Sequence, residues 1–466
     1  MKLTRRNILL SLKTATIIGL ADQFQAGQAQ SPLLITQSNS SLPWLEKENL
    51  NKEMLYKKYL ELAQGGVKDS PVLFYQGINT SSYQNQIKDY PHRLTIKPDK
   101  NNIISAIESD DNFSSYPSLG EVPKIDETGL NFLHSDIKEA CICLGSFSTG
   151  ELTTKWLGRD AILTGEFWSA TKIFPLLYVL SQANRKFPNL DLNNCQIRGI
   201  NQEGKDIGFT FYDLAKDIVS YDEKIATSNS LGAMFKRFTS QLELEKWLIN
   251  ITGNQDLVFR GYYGEDPYID QPKFLDSIIN KVVLSPDSNP PRCSSNNVSA
   301  YDLVRIITQI GWHNYLPETA QIKQLKWQNL GILIKAMGHD SARLTDLAIE
   351  NLGLKDDVDS VVILSKLGNG ATSIRHRTEA VYVALIQLID NRPTKTGKFP
   401  RMLTLSMALR GAFDLPKKRK LASSKKELDT VLDEEVRQLD ARMATEVTNI
   451  IWKALHNDLN IFPGSS

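Results

Sequence analysis

Residues 169–187, SATKIFPLLYVLSQANRKF, form the most informative segment of the chain. It opens with a serine and a lysine three positions apart, and an apolar run then predicts a buried helix over 171–187. Positions i and i+3 share one face of a helix, so Ser169 and Lys172 should lie side by side at its start. A neutral lysine amine in that place can accept the proton of a seryl hydroxyl. The pair is therefore a candidate for nucleophilic catalysis.

The Ser-x-x-Lys spacing is not specific by itself. It occurs at Ser135/Lys138, Ser169/Lys172 and Ser423/Lys426, close to the chance expectation of about two for this length. The residues around each copy must therefore indicate which pair is the catalytic candidate.

The order of predicted elements around residues 169–187 indicates an α/β (α+β) fold. A predicted helix over 129–140 leads to two strand-like runs, and a mostly helical section over about 207–355 follows the apolar helix. An amphipathic helix over 425–457 ends the pattern. The strand-like runs are ACICLGSF (140–147), LTTKWLGRDAIL (152–163), SVVILSKL (360–367), EAVYVALIQLI (379–389) and RMLTLSMALRGAF (401–413). The pattern predicts a five-stranded antiparallel sheet flanked by helices, with an all-helical subdomain.

Two later triplets extend the pattern of Ser169 and Lys172. Thr227-Ser228-Asn229 precedes an apolar helical stretch, and Lys366-Leu367-Gly368 closes the strand VVILS. Ser-x-x-Lys, Ser/Tyr-x-Asn and Lys-Thr/Ser-Gly occur in this order in the serine β-lactamases and penicillin-binding DD-peptidases. The chain resembles these families over roughly residues 125–460.

The resemblance implies a role for each matching residue. Ser169 would be the acylated nucleophile and Lys172 would be its base. Thr227 would pass a proton to the leaving group, and Asn229 would hydrogen-bond Lys172 and the substrate amide. Lys366 would supply a positive charge that keeps Lys172 neutral and attracts a substrate carboxylate. Gly368 and Asn369 would line the substrate site. The backbone N–H groups of Ser169 and Asn369 would form the oxyanion hole.

The motifs depart from the family pattern at three places. Thr227 replaces the usual Ser or Tyr, so Ser228 stays open as the source of the hydroxyl. Leu367 lacks the hydroxyl that binds a substrate carboxylate. No segment matches the Glu-x-x-Leu-Asn of class A β-lactamases; Glu265-Asp266 is the nearest acidic pair and is predicted to be a solvated turn. Efficient β-lactam hydrolysis is therefore not expected.

A second Lys-Thr-Gly, at 395–397, competes with Lys366 for the third motif. It lies in NRPTKTGKFP, a polar segment that predicts the turn of a hairpin. In the family fold two strands follow the motif strand. Lys366 meets that requirement and Lys395 does not, so Lys366 is preferred.

Composition excludes several other functions. Lys plus Arg is 54 against 53 for Asp plus Glu, a net charge of +1, whereas nucleic-acid binders are usually basic. His-Glu-x-x-His, Cys-x-x-Cys and phosphate-binding glycine loops are absent from the sequence, and the six histidines are dispersed. We therefore predict no metal and no cofactor, and a small molecule or peptide as the substrate.

The chain is predicted to have three parts. Residues 1–30, with Arg5-Arg6 before an apolar run, are typical of a twin-arginine signal peptide, although an uncleaved amphipathic helix is the alternative. Residues 31–125 form a linker and helical extension, and 126–466 the catalytic domain. In an exported protein Cys195 and Cys293 could pair, which the sequence does not decide.

These features predict an exported, periplasmic serine hydrolase that acts on an amide or ester, such as a peptidoglycan peptide or a β-lactam-like substrate. The alternative is an inactive protein of the same fold that binds an envelope ligand. The basic residues 417–420 would suit an anionic envelope surface, or they form a solvated loop. The sequence does not decide the oligomeric state.

Overall fold

The computed structural model describes residues 50–65, 81–99, 102–148, 150–287, 295–372 and 375–459. The predicted signal segment 1–30 and Cys293 lie outside these residues. The strands are β1 Ile104–Ser105, β2 Ser114–Ser115, β3 Ile125–Asp126, β4 Ile137–Ser148, β5 Glu151–Arg159, β6 Gly165–Glu166, β7 Cys195–Ile200, β8 Asp206–Thr210, β9 Val258–Phe259, β10 Lys273–Asp276, β11 Lys281–Leu284, β12 Asn296–Val298, β13 Val358–Thr372, β14 Arg377–Asp390 and β15 Arg401–Phe413.

The helices account for most of the remaining described residues. The α-helices are α1 Lys52–Gly65, α2 Tyr90–Arg93, α3 Ile173–Lys186, α4 Phe211–Ser220, α5 Ser228–Phe235, α6 Gln241–Thr252, α7 Ala300–Gly311, α8 Trp327–Met337, α9 Leu344–Asn351, α10 Pro416–Leu421 and α11 Lys425–Leu455. Short 3₁₀ helices cover Gln84–Asp89, Trp168–Lys172, Leu192–Asn194, Lys236–Phe238 and Arg392–Thr396. Among the described residues, no helix is long and apolar enough to cross a membrane.

The central sheet places its long strands in the order β13-β14-β15-β4-β5, and each neighbouring pair is antiparallel. The predicted mixed α/β fold with an antiparallel sheet and flanking helices is thus confirmed. The predicted count of five strands is too low. The irregular segment 102–126 adds β1 beside β15, and β2 and β3 beside β5, so the described part of the sheet has eight strands.

Both faces of the sheet are covered by helices, because its strands carry apolar residues on both sides. Cys141 and Cys143 of β4 face one apolar cluster, which includes residues of α3 and α7. The alternating Ile142 faces a second cluster, which includes residues of α1 and α11. The two cysteines therefore share one buried face of the sheet.

The first described helix belongs to the same core as the sheet. Lys52 of α1 donates to Glu446 of α11 at 2.8 Å, and the Tyr59 hydroxyl hydrogen-bonds the Thr448 hydroxyl at 2.7 Å. Leu55 and Tyr59 are fully buried against α11 and the sheet. This part of the predicted extension therefore packs on the predicted catalytic domain.

Two predicted helical regions are corrected by the structure. Residues 129–136 form turns and β4 begins at Ile137, so the predicted helix over 129–140 is wrong. The guanidinium of Arg159 donates to backbone carbonyls in these turns, and such long-range bonds are invisible to local periodicity. The carbonyls belong to Leu130, Leu133, His134 and Ile137, at 2.9–3.0 Å.

The predicted all-helical subdomain is also wrong. The chain between β5 and β13 also forms a four-stranded sheet, β11-β10-β7-β8, and a three-stranded sheet, β6-β12-β9. The β7–β8 hairpin turns at Asn201–Gly204, where the Asn201 side chain accepts from two backbone N–H groups and Gly204 has φ +78°. A glycine adopts this left-handed conformation without strain.

Candidate active site

Ser169 and Lys172 lie on the 3₁₀ helix Trp168–Lys172, which leads directly into α3. A 3₁₀ helix has three residues per turn, so residues i and i+3 stand one above the other. Lys172 Nζ is 2.9 Å from Ser169 Oγ. The lysine is fully buried, whereas Ser169 is half-buried. The first predicted pair is thus brought into direct contact, with its lysine shielded from water.

The residue before Ser169 holds the start of this helix in an unusual conformation. Trp168 has φ +52°, in the left-handed region, which costs about 1–3 kcal/mol for a residue with a side chain. Its indole N–H donates to Glu379 of β14 at 3.0 Å. Although burial alone would raise it, the pKa of Glu379 is held below its ordinary value by Arg410, Arg377 and Arg375. A buried carboxylate therefore anchors the turn that presents Ser169.

Strand β13 lies against the backbone of Ser169 at Gly368. A Cβ atom on Gly368 would come within 2.7 Å of the Phe167 carbonyl oxygen and 3.1 Å of the Ser169 nitrogen. Only glycine allows so close an approach of the two backbones. The strand residue Asn369 thereby follows immediately after the closest approach to Ser169.

The second predicted motif reaches Lys172 through two of its three residues. Lys172 Nζ is 3.0 Å from Ser228 Oγ and 2.7 Å from Asn229 Oδ1. Thr227 is instead the N-cap of α5, where its hydroxyl oxygen accepts from the Ser230 N–H at 3.0 Å. Between the hydroxyls that the sequence left open, Ser228 bonds Lys172.

The end of α4 positions this motif. The Ser228 hydroxyl donates to the Ile218 carbonyl at 2.8 Å. The buried carboxylate of Asp217 accepts from three consecutive backbone N–H groups, those of residues 224–226, at 2.9–3.2 Å. The loop that leads into the motif is thus fixed from α4.

Glu265 hydrogen-bonds Asn229 and Thr227. The prediction that its side chain lies in a solvated turn is therefore wrong. Glu265 Oε1 accepts from Asn229 Nδ2 at 3.2 Å, and its Oε2 accepts from the Thr227 hydroxyl. The preceding Gly264 has φ +83°, which allows the sharp turn that brings the side chain inward. A chain of hydrogen bonds therefore runs from Glu265 through Asn229 and Lys172 to Ser169.

Lys366 approaches the cluster through an aromatic ring. Its Nζ lies 3.8 Å from the ring centroid of Tyr221, and the same centroid is 5.7 Å from Lys172 Nζ. Burial lowers the pKa of Lys366 below the ordinary value of lysine. Burial likewise raises the pKa of the neighbouring Asp340, which accepts from the Leu367 N–H at 3.4 Å. Lys366 is therefore a fully buried amine close to Lys172, with its charge reduced by desolvation.

A third buried lysine, Lys236, was not predicted. Its Nζ donates to the Gly261 carbonyl at 2.7 Å and to Asn296 Oδ1 at 3.0 Å, and burial lowers its pKa to about 7. The Tyr263 ring centroid is 5.0 Å from Lys236 Nζ and 5.3 Å from Lys172 Nζ. Lys236 anchors the loop that carries Glu265, and neither residue belongs to a motif that would have found it.

Two other predicted residues lie elsewhere. Lys395 sits in the hairpin between β14 and β15, as predicted; it is 67% exposed and 2.5 Å from Asp357. Cys195 is buried in β7, and burial raises its pKa to about 12. Cys293, with which it could pair, lies outside the described residues.

Comparisons with known proteins find matches among solved structures only. No family model and no curated protein matches the sequence. The chain is similar to a solved β-lactamase from Streptosporangium roseum at 14% identity, covering 68% of this chain and 98% of that chain, with a TM-score of 0.35. At this TM-score the similarity carries no argument about the fold or the function of this chain. The site is therefore interpreted from its own contacts.

Proposed function

We propose that this chain is a serine hydrolase that forms a covalent acyl-enzyme on Ser169. The observation that carries the proposal is the set of bonds made by the buried Lys172, to Ser169, Ser228 and Asn229 at 2.7–3.0 Å. Ser169 Oγ attacks the carbonyl carbon of an amide or ester, and neutral Lys172 takes its proton. Full burial disfavours the protonated form of Lys172.

The leaving group and the developing oxyanion need their own partners. Ser228 passes the proton from Lys172 to the leaving nitrogen or oxygen, because its hydroxyl already bonds Lys172. The N–H groups of Ser169 and Asn369 form the oxyanion hole, which the close packing of Gly368 on Ser169 supports. Each such donor is commonly worth about 3–4 kcal/mol.

Glu265 completes the cycle in this proposal. Hydrolysis of an acyl-enzyme requires a base beside a water molecule. Glu265 is a half-buried carboxylate bonded to Asn229, two hydrogen bonds from Lys172. It activates the water that releases the acyl group from Ser169.

Covalent labelling tests the proposal. Intact-protein mass spectrometry after treatment with a p-nitrophenyl ester or a penicillin should show one acyl adduct. The adduct should be absent in Ser169→Ala and unchanged in Ser135→Ala and Ser423→Ala, which remove the serines of the other Ser-x-x-Lys copies. If a panel of activated esters and β-lactams leaves no adduct, the inactive, ligand-binding alternative replaces the proposal.

Ser228 and Thr227 can be separated by the same assay. We expect Ser228→Ala to slow acylation about a hundredfold, within the range for loss of a general acid–base group. Thr227→Ala should cost mainly helix-cap stability, about 1 kcal/mol. A larger loss of rate in Thr227→Ala would return the shuttle role to Thr227.

We also propose that the enzyme is exported and acts on an envelope substrate. The support is Arg5-Arg6 before an apolar run in the sequence. Replacing both arginines by lysine should leave the precursor in the cytoplasm, as judged by cell fractionation. Unchanged export of that variant would remove this part of the proposal.

A further inference from the structure

A cavity of about 580 Å³ lies in the wall of the domain, and none of its lining residues belongs to the cluster around Ser169. Four segments line it: the 3₁₀ helix Gln84–Asp89, residues 192–193, residues 210–213 at the start of α4, and residues 332–339 at the end of α8. Small-molecule sites usually have volumes of about 300–1,000 Å³. The cavity therefore has the size of a ligand site.

The charged side chains of the cavity favour an anion. Lys88 and Lys335 reach it from different elements, and neither side chain has an ion-pair or hydrogen-bond partner among the described residues. The one acid in the lining, Asp213, accepts the Thr210 hydroxyl at 2.6 Å. The cavity thus presents two uncompensated amines against one hydrogen-bonded carboxylate.

His339 adds a neutral polar group to the cavity wall. Its Nε2 lies 3.1 Å from the Tyr212 hydroxyl, and both side chains line the cavity. Burial, together with the charges of Lys216 and Arg343, lowers the pKa of His339 to about 4. The imidazole is therefore neutral at pH 7 and forms a polar wall with the Tyr212 hydroxyl.

The remaining lining is mixed, with polar side chains at Gln84, Asn85, Asn193 and Thr210. Ile87, Leu192 and Ile332 line the cavity beside the two lysines. A ligand that fills it must combine an apolar body with a negative charge, because only such a molecule satisfies both kinds of lining.

We propose that this cavity binds a small organic anion, whose carboxylate or phosphate pairs with Lys88 and Lys335 and whose apolar body contacts Ile87, Leu192 and Ile332. Carboxylates and phosphates share the acceptor oxygens that two lysines require. The site is separate from Ser169, so it stands independently of the proposed hydrolase function.

Isothermal titration calorimetry on the purified full-length chain tests the proposal with three probes: phenyl phosphate, benzoate and the neutral benzyl alcohol. At least one anion should bind and benzyl alcohol should not. The better anion identifies the head group. Lys88→Gln and Lys335→Gln should each weaken binding by about tenfold or more, as expected for loss of a charge-assisted hydrogen bond. Lys326→Gln, an exposed change at the other end of α8, should bind as the wild type does.

Three results would overturn the proposal: no binding of either anion up to about 10 mM, equal binding of benzyl alcohol, or undiminished binding in the Lys88→Gln/Lys335→Gln double variant with an unchanged melting temperature. Ser169→Ala should bind the probe normally. If Ser169→Ala abolished binding, the anion would be occupying the catalytic cluster instead of the cavity.

Discussion

The three Ser-x-x-Lys copies in this chain share a spacing but have very different surroundings. Lys172 is fully buried and bonds the side-chain oxygen of Ser169. Lys138 bonds the backbone carbonyl of the exposed Ser135 at 2.8 Å. The exposed Ser423 donates its hydroxyl to Glu427 at 2.8 Å, beside the N-terminus of α11. The spacing brings residues near each other, but burial and the orientation of the serine decide whether a reactive pair forms.

The difference follows from what packs around each copy. Strand β13 and helix α5 enclose Lys172, and they place Ser228 and Asn229 on its amine. Burial disfavours the protonated amine, and the Ser169 hydroxyl beside it can donate to the lone pair of the neutral amine. An exposed lysine stays solvated and protonated near neutral pH, so it cannot accept the proton of a serine.

Removing each lysine in turn tests whether only Lys172 activates its serine. Lys172→Met should slow acylation of Ser169 about a thousandfold, since loss of a general base typically costs 10²–10⁴-fold. Lys138→Met and Lys426→Met should retain the wild-type rate. Stopped-flow release of p-nitrophenol measures the acylation step. A Lys172→Met variant that acylates normally would mean that another group activates Ser169.

A second prediction concerns release of the acyl group. Glu265→Gln keeps the shape of the side chain but removes the base, so hydrolysis of the acyl-enzyme should slow about a hundredfold while acylation changes little. Asp266→Asn is the matched control, because the structure leaves the Asp266 side chain exposed. Mass spectrometry over hours should show a lasting adduct in Glu265→Gln only. Rapid release in that variant would exclude Glu265 as the base.

Much of this framework could be predicted from local pattern. The long strands and the helices α3 and α11 come from apolar runs whose period and length identify them. The sequence predicted Ser169, Lys172 and Asn229 as site residues because they match the Ser-x-x-Lys and Ser/Tyr-x-Asn motifs. The third motif was assigned to Lys366 from strand order, and Lys395 does lie in a hairpin turn.

The remainder depends on contacts between distant residues. The turns at 129–136 are held by Arg159, so their helix-like composition misled the prediction. Glu265 enters the cluster because Gly264 turns its loop and Lys236 anchors it. The motif spacing favoured Thr227 as the proton shuttle. In the structure Thr227 is a helix N-cap, and its hydroxyl oxygen accepts from the Ser230 N–H. None of these contacts leaves a periodic or spaced signal in the sequence.

The third prediction separates the two lysine triplets. Lys366→Ala should slow acylation more than tenfold, because it removes an amine beside Tyr221 and Lys172 in the enclosed site. Lys366→Met, which fills the space, should show the same loss of rate with a smaller loss of stability. Lys395→Ala removes only an exposed ion pair with Asp357 and should change neither quantity much. A larger effect at Lys395 would mean that the hairpin, not β13, contributes to the site.

The smallest expected effect concerns stability and pH at the buried Lys236. Its pKa is lowered to about 7 by burial, whereas in the unfolded chain it has the ordinary value of 10.5. Between these values the unfolded state binds more protons, so this residue makes the free energy of unfolding rise with pH above about 7. The slope is at most about 1.4 kcal/mol per pH unit. In Lys236→Met that contribution disappears, whereas the exposed change Lys426→Met should leave it intact. Urea unfolding at pH 6, 7, 8 and 9 measures the difference between wild type and each variant. A constant difference between wild type and Lys236→Met across this range would show that Lys236 stays charged in the folded protein, with its bonds to Gly261 and Asn296 compensating its burial.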